Sequence, residues 1–183
     1  MRDTKQDILN FWFVETPPAQ WFRKSDVFDQ QILDRFKVSY NLALEGLSDS
    51  WQESPEGAVA LCLLLDQFPR HMFRGTKEAY QADQQALLVA KRAISRGYDQ
   101  MLDDVQKRFL YFPFTQSEDL NDQKKSVAYF ETMKEVDPAA HMHAEKRLKV
   151  IEAYGRFPQR NQVLGRENSP EEDEYLASKG ATL

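Results

Sequence analysis

Long hydrophobic runs, cysteine, glycine and an excess of positive charge are all scarce in this chain of 183 residues, and each shortage narrows what it can do. The longest apolar run, Ala58 to Leu65, has eight residues; a membrane-spanning helix needs roughly 18. The stretch MRDTKQDILNFWF carries acids at Asp3 and Asp7 and lacks a small-residue cleavage site, so no secretion signal is expected. Cys62 is the single cysteine. No intrachain disulfide can form, the thiol inside VALCLLL reads as a small buried hydrophobe, and a cytoplasmic setting is expected. Seven glycines leave little room for a phosphate-cradling loop, and no cofactor is expected. Lys and Arg number 24 against 29 Asp and Glu, a net charge of -5. With bases and acids interleaved, nucleic-acid binding is not expected.

What the chain does contain is a recurring dipeptide. Phe68-Pro69, Phe112-Pro113 and Phe157-Pro158 are separated by 44 and 45 residues. Each closes an apolar-periodic segment: ALCLLLDQFP, VQKRFLYFP and VIEAYGRFP. Because proline disfavours helical backbone at the residue before it, the spacing predicts a helix stop at each Phe. Helix-start signals follow: Thr76, Ser117, and Ser169-Pro170-Glu171-Glu172 with a capping-box layout. One period earlier, Pro17-Pro18 end a short helix and Ser25 can cap the next. The reading is one all-α domain over 1–183, with about eight helices in four antiparallel pairs: 3–14/25–47, 55–68/76–96, 99–112/118–135 and 138–156/169–179. Such pairs would stack as a short right-handed array like tetratricopeptide repeats, although the period exceeds their 34 residues.

Periodicity agrees. Phe28, Ile32, Leu33, Phe36, Tyr40 and Ala43 keep a helical rhythm, as do Leu102, Val105, Phe109 and Phe112. Residues 58–65 are apolar on every side, which predicts the central helix.

The polar residues at the predicted helix ends are the candidate site. Asp66 would terminate the central helix at the negative end of its dipole, a poor position for a carboxylate unless a cation compensates. GRFPQRNQVLGRENS shares a layout with DQFPRHMFRGT: a Phe-Pro stop, basic residues, then glycine. Repeats stacked in register would gather Asp66, Gln67, Arg70, Arg74, Glu118, Gln123, Arg156, Arg160, Asn161 and Arg166 along one edge. Arginines there could clamp a carboxylate or phosphate, with Trp12, Phe13, Trp21, Phe68, Phe112 and Phe114 as apolar walls. The competing reading is structural: the arginines tie off helix-end carbonyls and bridge to Asp66 and Glu118. Gln123 lies on the stripe Leu120, Val127, Phe130 and needs partners, either in the core or in that pocket.

Other chemical signals are weak. In HMHAE, only His141 and Glu145 share a helix face, two ligands where zinc wants three or four, so no metal is expected. His71 has no nucleophile paired with it in sequence. PEEDEYL places its acids where a helix dipole favours them.

The stretches ILNFWF, WF-K---FD, LLLDQFPR--FRGT, FLYFPF--SE and GRFP-RN--LGR--S-EE--YL resemble the bacterial family known as domain of unknown function 924, over residues 8 to 176. The resemblance implies an all-helical, tetratricopeptide-like fold and brings no established activity, cofactor or catalytic residue. Histidine often stands in that pattern where this chain has Gln159 and Arg147, so imidazole chemistry at those places would be missing.

Three functions compete. The first is a binding module for an anionic small molecule or acidic peptide, neutralised by Arg70, Arg74, Arg156 and Arg160 and oriented by Gln67 and Asn161. The second is an enzyme using Asp66 or Glu118 as general acid or base. The third is a scaffold or homo-oligomer using an exposed helical face.

Overall fold

The computed structural model describes residues 3–178. Residue 179, the expected end of the last helix, and the extremes of the 1–183 span lie outside the described residues. Among those described, the chain is all-α and contains no strand. Its α-helices are α1 (Lys5–Asn10), α2 (Asp26–Leu44), α3 (Pro55–Cys62), α4 (Phe68–Met72), α5 (Asp83–Ser95), α6 (Asp104–Gln116), α7 (Leu120–Glu131), α8 (Pro138–Tyr154) and α9 (Pro170–Ala177). A π turn, Phe11–Glu15, prolongs α1, and a second, Leu63–Gln67, welds α3 to α4. The described helices therefore form eight rods close to the predicted segments.

Contacts divide the chain into two compact units, residues 1–113 and 114–183, the division falling at Pro113. In the first unit, α3 packs on α1 and α5, and α4 packs on α2. Residues 58–65 are buried throughout, as their all-round apolarity requires. Trp12, Trp21, Phe28, Phe68 and Phe109 meet ring against ring beside them, with centroids 5.1 to 6.3 Å apart. In the second unit, α7 and α8 form a helical hairpin, and Phe114 packs edge-on against Tyr129. Asp137 caps α8 by accepting from the Ala140 N–H at 3.1 Å. Gly155 ends that helix with φ +68°, a left-handed conformation that favours glycine. Ser25 caps α2, and Ser169 with Glu172 forms the expected capping box on α9.

The Phe-Pro rule needs correction at two of its three places. Helix runs through Pro69 and Pro113 alike. At Pro69 the π turn supplies the reason: the Phe68 N–H bonds to the Leu63 carbonyl, five residues back, widening the rod just where proline would otherwise collide with it. Arg70 then donates to the Asp66 carbonyl at 2.5 Å, occupying one oxygen in this disrupted stretch. Asp66 thus sits inside a continuous rod and not at its end. Pro113 lies within the last turn of α6, and Pro158 follows a helix already stopped by Gly155. Downstream starts also move: Thr76 precedes a 3₁₀ turn, Lys77–Tyr80, and the α7 cap is Asp119, not Ser117.

Candidate functional site

The proposed site residues occur as two groups, each described within its own unit. In the first, the Asp66 side chain has no exposed surface. Arg70 lies 3.1 Å from its Oδ1, and its Nη2 is shared between the two Asp83 oxygens at 2.9 and 3.0 Å. Gln67 donates to the other Asp66 oxygen. Burial works against the Arg70 charge, but Asp66 and Asp83 outweigh it and raise its proton affinity. Arg74 grips Asp29 through Nε at 2.6 Å and Nη2 at 2.9 Å. His71 completes this knot, with Nδ1 2.7 Å from Asp29 and Nε2 3.0 Å from the Trp21 carbonyl. Burial lowers the imidazole pKa despite the carboxylate. The Cys62 thiol, one turn before Asp66, is pushed well up by burial and then by that acid. Trp12, Trp21, Phe68 and Phe112 are buried, and Phe13 is half-buried against Phe109 and Trp21. Together they make core.

The second group centres on the turn Phe157–Asn161. Glu118 receives both Arg166 nitrogens at 2.7 and 2.9 Å and the Phe157 N–H at 2.7 Å. Burial alone would raise this carboxyl; Arg166, the Phe157 N–H and the Arg160 charge carry it below its ordinary value. Arg166 also donates to Asn161 Oδ1 at 2.8 Å, and Asn161 donates in turn to Asn168 and Glu172. Arg156 forks onto the buried Glu172 with both bonds at 2.7 Å. That pairing holds the Glu172 carboxyl near about 2. Gln123 is fully buried and donates to the carbonyls of Phe114, Thr115 and Ser117 at 3.2, 3.0 and 2.6 Å, closing the end of α6. Its first expected role, bonding within the core, is the one observed. Leu120, expected on the same apolar stripe, is 39% exposed.

Arg147 was absent from the predicted set. It lies 3.1 Å from both the Thr115 carbonyl and Gln116 Oε1, while Arg160 reaches the Gln116 carbonyl at 3.0 Å and the same Oε1 at 2.9 Å. Both guanidinium groups stand over the Phe157 ring, 4.9 and 4.6 Å from its centroid. Their donor nitrogens are thus at most about 6 Å apart. His143, one turn earlier on α8, accepts from Arg147 Nε at 3.0 Å. Burial, then Arg147 and Lys146, depress its pKa to about 4, so near neutrality it is an uncharged acceptor. The i,i+4 spacing of His143 and Arg147 was the sequence signal that could have found this pair.

No group of three or more His, Cys, Asp or Glu among the described residues could hold a metal. His141 instead lies 2.5 Å from Glu131 and 3.9 Å from Glu145. A shallow surface depression lies on the outer face of α2, lined by Asp26, Val27, Gln30, Gln31, Asp34 and Arg35, none of them predicted site residues. No described helix is long and apolar enough to cross a membrane.

Residues 8–180 match the model of a family described as "Bacterial protein of unknown function (DUF924)". The chain belongs to this family. The chain is similar to a solved structure, a protein of unknown function designated ATU0120 from Agrobacterium tumefaciens, which is 38% identical, with a TM-score of 0.90 over 95% of this chain and 97% of that one. No curated protein matches the chain.

Proposed function

We propose that this DUF924 member is a cytoplasmic binding module that holds a small anionic molecule, or the acidic end of a peptide, at the helix-end loops of residues 114–178. The observation that carries the reading is the concentration of cations around one turn: Arg160 and Arg166 meet at Phe157 and are tied to Asn161, Gln116 and Glu118. Cation forks fixed by such contacts lose little freedom when an oxyanion arrives. Arg166 is balanced by Glu118 just as Arg70, Arg74 and Arg156 are by Asp66 and Asp83, Asp29, and Glu172, so what singles out this turn is the density of fixed forks and not an unmet charge. An acid-base role is less well supported. Asp66 is sealed from solvent, and Glu118 is held ionised by Arg166, which disfavours it as a proton donor near neutrality.

Calorimetric titration with a panel of small carboxylates and phosphates at constant ionic strength tests the proposal. Saturable binding that disappears in Arg160→Glu, with helical circular dichroism retained, is expected. Heats that follow ionic strength alone, for every anion, would sink it.

A further inference from the structure

His71 carries an inference independent of the helix-end arginines. It lies buried on α4, between two oxygens that can only accept: Asp29 Oδ1, 2.7 Å from Nδ1, and the Trp21 carbonyl, 3.0 Å from Nε2. A neutral imidazole has one N–H to offer them. Asp29 Oδ1 also receives Arg74 Nη2 at 2.9 Å, so the 3.2 Å between Nη2 and Nδ1 is the spacing of two donors on one oxygen. A bare ring nitrogen is repelled more by a carboxylate than by a carbonyl, and the neutral ring therefore keeps its proton on Nδ1. That leaves the Nε2 lone pair pointing at the Trp21 oxygen, and only a second proton turns this contact into a bond.

Among the described residues, the charged groups facing the ring are Asp29 from α2 and Arg74 beyond α4, with Asp26 acting on Arg74. Trp12 and Phe28 present only aromatic rings. Although burial works against it, Arg74 and His71 hold the Asp29 carboxyl below its ordinary value, so Asp29 stays a fixed anionic anchor. The simplest alternative is a permanent cross-link, with Nε2–H donating to Trp21 at every pH. It requires a lone pair 2.7 Å from a carboxylate, or a constant cation where burial, reinforced by Arg74, outweighs the pull of Asp29. Trp21 belongs to the connector of residues 16–25, and among the described residues no other hydrogen bond joins that connector to α4. The same connector displays Phe22, 59% exposed, with Arg23 and Lys24 exposed beside it.

We infer that His71 is a proton-operated latch: in mild acid its Nε2 gains a proton and ties the Trp21 carbonyl to α4, and loss of that proton frees the connector that displays Phe22. Because burial lowers the imidazole pKa, the change falls on the acid side of the ordinary 6.5.

Nuclear magnetic resonance of the full nitrogen-15-labelled chain, from about pH 8 to about pH 5, tests the latch. The His71 ring nitrogens report the tautomer, and the Phe22 amide, which shares a peptide group with the Trp21 carbonyl, reports the bond. The Nδ1–H tautomer is expected at the alkaline end. On acidification Nε2 should gain its proton with a midpoint below 6.5, and the Phe22 amide should shift with that same midpoint. Amide exchange at residues 20–24, corrected for its intrinsic pH dependence, should slow by at least about threefold. His71→Gln, uncharged throughout, should abolish the Phe22 step with circular dichroism retained. If that variant fails to fold, the tautomer and the shared midpoint in the unmodified chain still decide. An Nε2–H tautomer at the alkaline end, or a ring that stays neutral to about pH 5, overturns the latch. So does a Phe22 amide that ignores the His71 midpoint, or a Phe22 step that survives in His71→Gln.

Discussion

Glu118 illustrates how much one side chain can organise. Its carboxylate receives Arg166 twice and the backbone N–H of Phe157 once, fixing the turn to the start of α7. Glu118→Gln leaves a partly buried guanidinium without its charge partner, and a loss of about 2 kcal/mol in urea-unfolding stability is expected. Cys62 makes the opposite kind of statement. With no exposed surface and a thiol pKa pushed well up by burial, it should react with a thiol reagent only as fast as the chain opens. A native-state modification rate that equals the rate in urea would contradict that assignment.

At the scale of the element, two close approaches matter more than helix propensity. Gly57 lies in the first turn of α3, and a Cβ placed there would stand 2.0 Å from the Trp51 carbonyl oxygen. Alanine usually improves a helix by up to about 1 kcal/mol over glycine. Here Gly57→Ala must displace backbone in the 3₁₀ turn Asp49–Glu53, and a net destabilisation of about 2 kcal/mol is expected from the denaturant midpoint. The other approach is at the end of α6, where Gln123, Arg147 and Arg160 cover the last carbonyls. Gln123→Leu removes a donor shared by the carbonyls of Phe114, Thr115 and Ser117, of which Thr115 keeps Arg147, and amide exchange over α6 should quicken before that over α8 does.

Taken whole, the molecule depends on carboxylates held ionised in both units. Asp29, Glu118 and Glu172 all have depressed folded-state pKa values, Glu172 near about 2 against an ordinary 4.5. For such groups the stabilisation is complete above the unfolded pKa and is lost as pH falls through the folded one. Acid unfolding should therefore set in below about pH 4.5 and steepen toward pH 2, with Arg156→Gln giving a shallower acid limb by circular dichroism.

The rods were legible in the sequence because caps and a helical rhythm are local: Ser25, Ser169 and the row Phe28, Ile32, Phe36, Tyr40 needed no tertiary knowledge. The partners of the arginines were not. Asp29 lies 45 residues from Arg74, and Glu118 lies 48 from Arg166, separations at which sequence spacing carries no geometric signal. Arg147 was hidden for a related reason, since one base among mixed charges on α8 looks like solvated surface until Phe157 folds beneath it. The stop expected at Phe68 failed because a wider turn upstream of Pro69 absorbs what proline forbids.

That wider turn has a consequence for how the rod can vary. Five residues, Leu63–Gln67, span a loop of backbone that an ordinary helix closes with four, so everything after it is rotated by about 100° relative to a seamless rod. Excising one leucine would restore a regular screw and swing Arg70 a quarter-revolution off Asp83, turning a salt-bridged hinge into a misaligned key. The surplus residue works as a phase-setting shim.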